Sequence, residues 1–160
     1  MSWIAAASYA CLEAALNADI VQEITAADRY LRLAQIVKQL HHPEIYRQMA
    51  VCAATALSNA TALAAEVIAL GGAPPAAALC NKGMLPAPRT FEEHLIEARA
   101  ELAHYKGRLA LAKRMGMLRL QDIFREIVRS KRRHVAHAKA LASAGLNAPQ
   151  KPGILRRQTR

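Results

Sequence analysis

The chain has 160 residues, of which 53% are hydrophobic and only 4% aromatic, and it carries 22 Lys and Arg against 12 Asp and Glu, a formal charge of +10. That length supports one domain with a real core. The Ala- and Leu-based apolar share favours helices, and Val, Ile and Thr never gather into an alternating run, so no strand is expected. Three cysteines, Cys11, Cys52 and Cys80, with no CxxC spacing, speak against a disulfide framework or a thiolate zinc site and fit a reducing cytoplasm.

The N-terminus, MSWIAAASYACLEAALN, has a short apolar run with no basic residue before it and does not read as a signal peptide. A first helix is expected from about Leu12 to Leu40, with Leu16, Ile20, Ala27, Tyr30, Ala34 and Val37 on one face. The member of that series at position 23 is Glu23, a carboxylate that is costly on a buried stripe unless something pairs with it. His42-Pro43 breaks the helix, and Pro43 with Glu44 opens the second. His41 and His42 read as cations at the first helix's C-terminus.

The second helix carries Ile45, Met49, Cys52, Ala56, Asn59, Leu63 and Leu70 on one face and stops at Gly71-Gly72, before Pro74-Pro75. Val51 to Gly71 is long and apolar, but Thr55, Ser58, Asn59, Thr61 and Glu66 fit a bundle helix better than a membrane span. The stretch from Ala76 to Pro88 has no period. It suits a long crossover between helix pairs, although an up-down bundle with a loose middle loop is the other reading.

Thr90-Phe-Glu-Glu93 is a capping box opening a third helix, with Leu95, Ala98, Leu102, Tyr105, Leu109 and Ala112 inward. Gly116 marks a turn. The fourth helix places Leu120, Phe124, Ile127, Lys131, His134, Ala138 and Leu141 on one face and ends near Gly145. The expected organisation is all-α, with a four-helix bundle over 1–145 and a flexible basic tail over 146–160.

Several of these residues carry a resemblance. Leu16-Asn17, Glu23-Ile24-Thr25-Ala26 and Tyr30 resemble the opening helix of bacterioferritins, and Ala65 to Pro74 resembles the close of that family's second helix on Gly-Gly. Phe91-Glu92-Glu93 is similar to its third-helix start, and Ile127-Val128-Arg129 with His134 to its fourth helix. The resemblance implies a ferritin-like bundle with dimers along the first two helices. It also implies a di-iron centre built from one Glu on each of two helices and a Glu-x-x-His pair on each of the other two. Here Glu23 matches the first glutamate, but the second-helix pair falls on Ala56 and Asn59. The third-helix glutamate falls on Ala98 or Leu102, and the fourth-helix pair falls on Lys131 and His134. The family's haem methionine corresponds to Leu57, so haem ligation of that kind is not expected.

Lys131 lies on the same stripe as His134 and at the level of Glu23. A cluster of Glu23, Tyr30, Asn59, Lys131 and His134 is therefore expected, with the ammonium supplying the positive charge that iron would otherwise supply. Otherwise Lys131 faces solvent. A fallback metal set is Glu23, Glu101, His104 and His134, with Glu101 and His104 at i, i+3. That spacing is common on exposed faces, so Glu97, Glu101 and His104 read as a charged flank. Arg125, Arg129, Arg132 and Arg133 form a basic patch suited to an acidic protein. Nucleic acid is not favoured, because aromatics to stack bases are missing near the run. The expected role is non-catalytic: a structural or adaptor subunit of an oligomer with ferritin-like partners, cytoplasmic, without cofactor or membrane attachment. An iron-binding ferroxidase with a remodelled site and a Dps-like nucleic-acid binder are the alternatives.

Overall fold

The computed structural model describes residues 3–39, 41–75 and 90–143. They form four helices: α1 (Trp3–Gln39), α2 (Pro43–Ala69), α3 (Phe91–Arg114) and α4 (Leu118–Ser143). The crossover expected at 76–88, the tail from 146 and Cys80 lie outside the described residues. One boundary differs clearly from expectation, since α1 begins at Trp3 rather than Leu12. The residues before Leu12 are rich in Ala and contain no Gly or Pro, so nothing local stops the helix.

Three helix ends close by the same device. His41 (φ 59°), Gly71 (φ 81°) and Gly116 (φ 67°) take the left-handed conformation. In each case the N–H of that residue and of the next reach back to the last turn. Gly71 N donates to Ile68 O at 2.9 Å and Gly72 N to Val67 O at 2.9 Å, while Gly116 N and Met117 N bond Lys113 O and Ala112 O at 3.1 Å. These paired bonds satisfy carbonyls that have no partner further along the helix. Pro43 then starts α2, where its missing N–H costs nothing, and Thr90 caps α3 by accepting the Glu93 N–H at 3.1 Å.

The short turns after α1 and α3 fold the chain into two helix pairs, α1 with α2 and α3 with α4, and α2 packs on α4. The turn after α2 is tied back to α1. Ala73 N–H donates to Glu13 Oε1 at 2.9 Å, and Asn17 Nδ2 donates to Ala73 O at 3.0 Å.

Two apolar clusters fill the interior. One joins Tyr30, Leu33 and Val37 to Met49, Cys52, Phe91 and Leu141. The other joins Leu16 and Ile20 to Leu63, Val67, Tyr105, Leu120, Phe124 and Ile127. The inward stripes expected on the first, second and fourth helices are buried or half-buried throughout. On α3 the face is rotated: Phe91, His94, Ala98, Glu101, Tyr105 and Ala112 are buried, whereas Leu95, Leu102 and Leu109 are only half-buried. Among the described residues α2 alone is long and apolar enough to cross a membrane, and Asn59 and Glu66 are among its buried residues.

The glycines give a paired test. Gly116→Ala forces a side chain into a left-handed residue and should cost about 1 kcal/mol. Gly107→Ala, inside α3 with open space around a built Cβ, should instead stabilise by roughly 0.5–1 kcal/mol. Urea midpoints should move in opposite directions for the two variants.

Candidate functional site

Between the two apolar clusters, one side chain from each helix enters a shared polar group. Lys131 of α4 places Nζ 2.7 Å from Glu23 Oε1 on α1 and 2.9 Å from Glu101 Oε2 on α3. Asn59 of α2 donates through Nδ2 to Glu23 Oε2 at 2.9 Å, and the same nitrogen lies 3.4 Å from Ser130 Oγ. Lys131 and Glu23 are fully shielded from solvent. Tyr105 presents its ring 5.5 Å from the ammonium, a cation–π contact. Arg29 Nη1 reaches Glu101 Oε1 at 3.0 Å and the half-exposed Glu97 Oε2 at 2.8 Å. Two buried carboxylates are thus matched by an ammonium and a guanidinium, the condition under which buried charge is tolerated.

A second polar layer lies two turns further along α1. Tyr30 OH is 3.0 Å from His134 Nδ1. Burial, reinforced by the charge of Lys131, pushes His134 down to about 3, so the ring that shares this hydrogen bond with the tyrosine is neutral. Burial, then the Glu101 charge, pushes the Tyr30 hydroxyl above its ordinary range. His94 meets the Tyr30 ring edge-on at 5.4 Å. Both His94 ring nitrogens are buried and have no hydrogen-bond partner among the described residues, and burial together with the Arg29 charge lowers the ring to about 4. Cys52 Sγ lies 3.8 Å from His137 Nδ1, and burial pushes the thiol up to about 11, which makes it a poor nucleophile.

A third layer sits one turn before Glu23. Buried Asp19 takes His104 Nε2 at 2.7 Å on one oxygen and Arg108 Nε at 2.8 Å on the other.

Of the expected cluster, Glu23, Asn59 and Lys131 meet directly, while Tyr30 and His134 pair with each other. Reading Glu101 as part of a solvated flank is wrong; it lies on the buried face of α3 with Ala98. Glu101 is 6% exposed and holds Lys131. The half-buried leucines beside it had drawn the inward face one position away. In the fallback set Glu23 and Glu101 converge, but His104 turns to Asp19 and His134 to Tyr30. Among the described residues no group of three or more His, Cys, Asp or Glu is placed to hold a metal ion. Arg125, Arg129, Arg132 and Arg133 are exposed on α4, where Arg125 pairs with Asp122 and Arg129 with Glu126. Asp19 and His94 escaped the sequence reading. His94 lies on the spacing Phe91, His94, Ala98, Glu101, Tyr105, which marks the true inner face of α3.

The donor set does not fit the di-iron arrangement that the resemblance implies. The space between the Glu23 and Glu101 carboxylates is filled by the Lys131 ammonium, and Asn59 offers Glu23 a donor rather than a ligand. Leu57, at the haem-methionine position, is 47% exposed.

A model of the ferritin-like domain family matches residues 13–144. In fold the chain is similar to the bacterioferritin of Rhodobacter capsulatus, solved with a metal-free dinuclear site and with haem iron. The TM-score is 0.71 at 20% identity, covering 89% of this chain and 96% of that one. No curated protein matches in sequence.

Lys131→Met leaves buried Glu23 without a counter-ion and should cost about 3–5 kcal/mol. Adding Glu23→Leu should recover much of that loss, because Glu101 keeps Arg29. A denaturant double-mutant cycle that gives a coupling below about 0.5 kcal/mol would contradict the pairing.

Acid should weaken the fold through His94 and His134. Their pKa values lie at about 4 and about 3 in the native chain against an ordinary 6.5, so the unfolded chain binds more protons as pH falls below 6.5. Their contribution is complete above that pH. It is lost toward about pH 4 at up to about 1.4 kcal/mol per pH unit for each ring. His94→Phe removes a buried ring with unmet nitrogens, so it should raise the melting temperature at pH 7 and flatten the acid limb. An unchanged acid limb would show that His94 is not the titrating group.

Proposed function

The chain belongs to the ferritin-like domain family, and we propose that it is a non-catalytic structural or adaptor subunit of an oligomeric assembly, acting in the cytoplasm. The observation that carries this reading is the Lys131 ammonium within 3 Å of both Glu23 and Glu101. A fixed internal cation repels a second one and occupies the position between the two carboxylates. Redox chemistry on iron needs a ligand set that can exchange water and substrate, whereas this group is sealed and saturated.

Support for assembly comes from the outer surface of α1 and α2. Leu31, Val51, Leu57 and Ile68 are between 47% and 63% exposed, and no charged residue falls between Val51 and Ala65. Exposed apolar area of that kind favours association. Arg132 and Arg133, which have no ion-pair partner among the described residues, favour an acidic protein as a further partner.

Two measurements test the reading. Elemental analysis of natively purified protein should give no stoichiometric iron, and Fe(II) added in air should draw no fast oxygen consumption. Stoichiometric iron with rapid oxidation supports the ferroxidase alternative instead. Light scattering at micromolar concentration should show an oligomer that Val51→Asp weakens; a monomer would remove the assembly part. Salt-sensitive retention on DNA in place of an acidic protein favours the nucleic-acid alternative.

A further inference from the structure

We propose that Lys131 and Asn59 become joined by an intramolecular isopeptide bond, with Glu23 as the catalytic carboxylate, so that α4 is fastened covalently to α2. The arrangement supplies the three groups this reaction needs. Lys131 carries a primary amine, Asn59 carries a primary carboxamide, and Glu23 touches both, one on each oxygen: Nζ at 2.7 Å from Oε1 and Nδ2 at 2.9 Å from Oε2. The carbon to be attacked, Asn59 Cγ, is one covalent bond from the nitrogen that shares Glu23 with the amine. Ser130, the residue before Lys131, also lies 3.4 Å from that amide nitrogen, so the α4 backbone and the amide are held side by side. Groups fixed in this way react at effective concentrations far above any free pair.

Lys131 and Glu23 are fully buried and in direct contact, so Glu23 is placed to take a proton from the amine. Glu101, the second carboxylate on Lys131, is itself compensated by Arg29 at 3.0 Å. A desolvated lysine relieved of its proton is a competent nucleophile.

The step closes in atoms and charge. Lys131 Nζ gives one proton to Glu23 and attacks Asn59 Cγ, forming the new C–N bond. Glu23 relays a proton from Nζ to Nδ2 of the tetrahedral intermediate. The Cγ–Nδ2 bond breaks and ammonia leaves. An ion pair and an amide become a secondary amide and a neutral Glu23, and no oxidant or co-reactant is consumed. Exclusion of water protects the intermediate from hydrolysis to aspartate.

The inference deepens the proposed function, because the amide would keep the Lys131 side chain between Glu23 and Glu101 in place of a metal, but it is read by mass rather than by iron. The experiment is intact and peptide mass spectrometry of the folded full-length chain. The expected result is a chain lighter by one ammonia, with a branched tryptic peptide joining the Asn59 and Lys131 segments. Asn59→Ala and Lys131→Arg should keep the unreacted mass, and Glu23→Gln should slow or abolish the loss. Asn59→Asp should still give the branch, now with loss of one water. The wild-type chain decides the matter even where a variant fails to fold. Full mass after prolonged incubation of the folded protein overturns the proposal. So does ammonia loss without a branched peptide, which would mark a succinimide at Asn59. Neither of those outcomes touches the proposed structural role, whereas stoichiometric iron with unbranched Lys131 overturns both.

Discussion

The bundle depends on one ammonium shared by two carboxylates. Glu23, Asn59, Glu101 and Lys131 come from α1, α2, α3 and α4 respectively and meet within hydrogen-bonding distance of one another's partners. Apolar contacts along a helix face tolerate small slips, because one leucine resembles the next. A hydrogen-bonded charge group does not. Sliding α1, α3 or α4 by one turn would take a buried charge from its counter-ion, and sliding α2 would take the Asn59 donor from Glu23. The group therefore fixes the register of all four helices, although a buried ion pair adds little to net stability compared with a well-packed apolar replacement.

The other polar layers extend the same logic. Asp19 with His104 and Arg108, and Tyr30 with His134, lie on either side of Glu23 along α1. Both tie α1 to the α3–α4 pair. The interior is thus a stack in which polar layers set alignment and apolar clusters supply the driving force. His94 is the exception, a buried imidazole with neither nitrogen satisfied. It packs against Tyr30 at the cost of two unmade hydrogen bonds.

Much of this was legible in the sequence because helix faces repeat. The stripes of α1, α2 and α4 are buried or half-buried throughout, with Lys131 and Glu23 fully buried, and the Gly-Gly and Gly116 stops are left-handed turns. The face of α3 was not legible to the same degree. Leu95, Leu102 and Leu109 outweighed Phe91, His94 and Glu101 in any reading that seeks hydrophobic periodicity. The true face is half polar because its partners across the bundle are polar too. Asp19 was missed for a related reason. It sits beside the apolar stripe of α1, and only the positions of His104 and Arg108 on a distant helix make its burial affordable. Pairwise compensation across helices is a property of the fold and leaves no mark in a local window.

The shared ammonium also bears on how such a chain can change over generations. Placing a carboxylate at position 131 would bring three buried acids together with only Arg29 nearby. Adding one at Ala56, which is fully buried one turn before Asn59 on α2, would make the excess worse. Each isolated step toward a metal site removes several kcal/mol from a domain whose whole margin is of order 5–15 kcal/mol. A route to a metal site would run through chains that barely fold, since the ligands are useful only after most of them are present. The lysine thus acts as a ratchet, confining later substitutions to the surface and leaving the interior committed to the arrangement it now has.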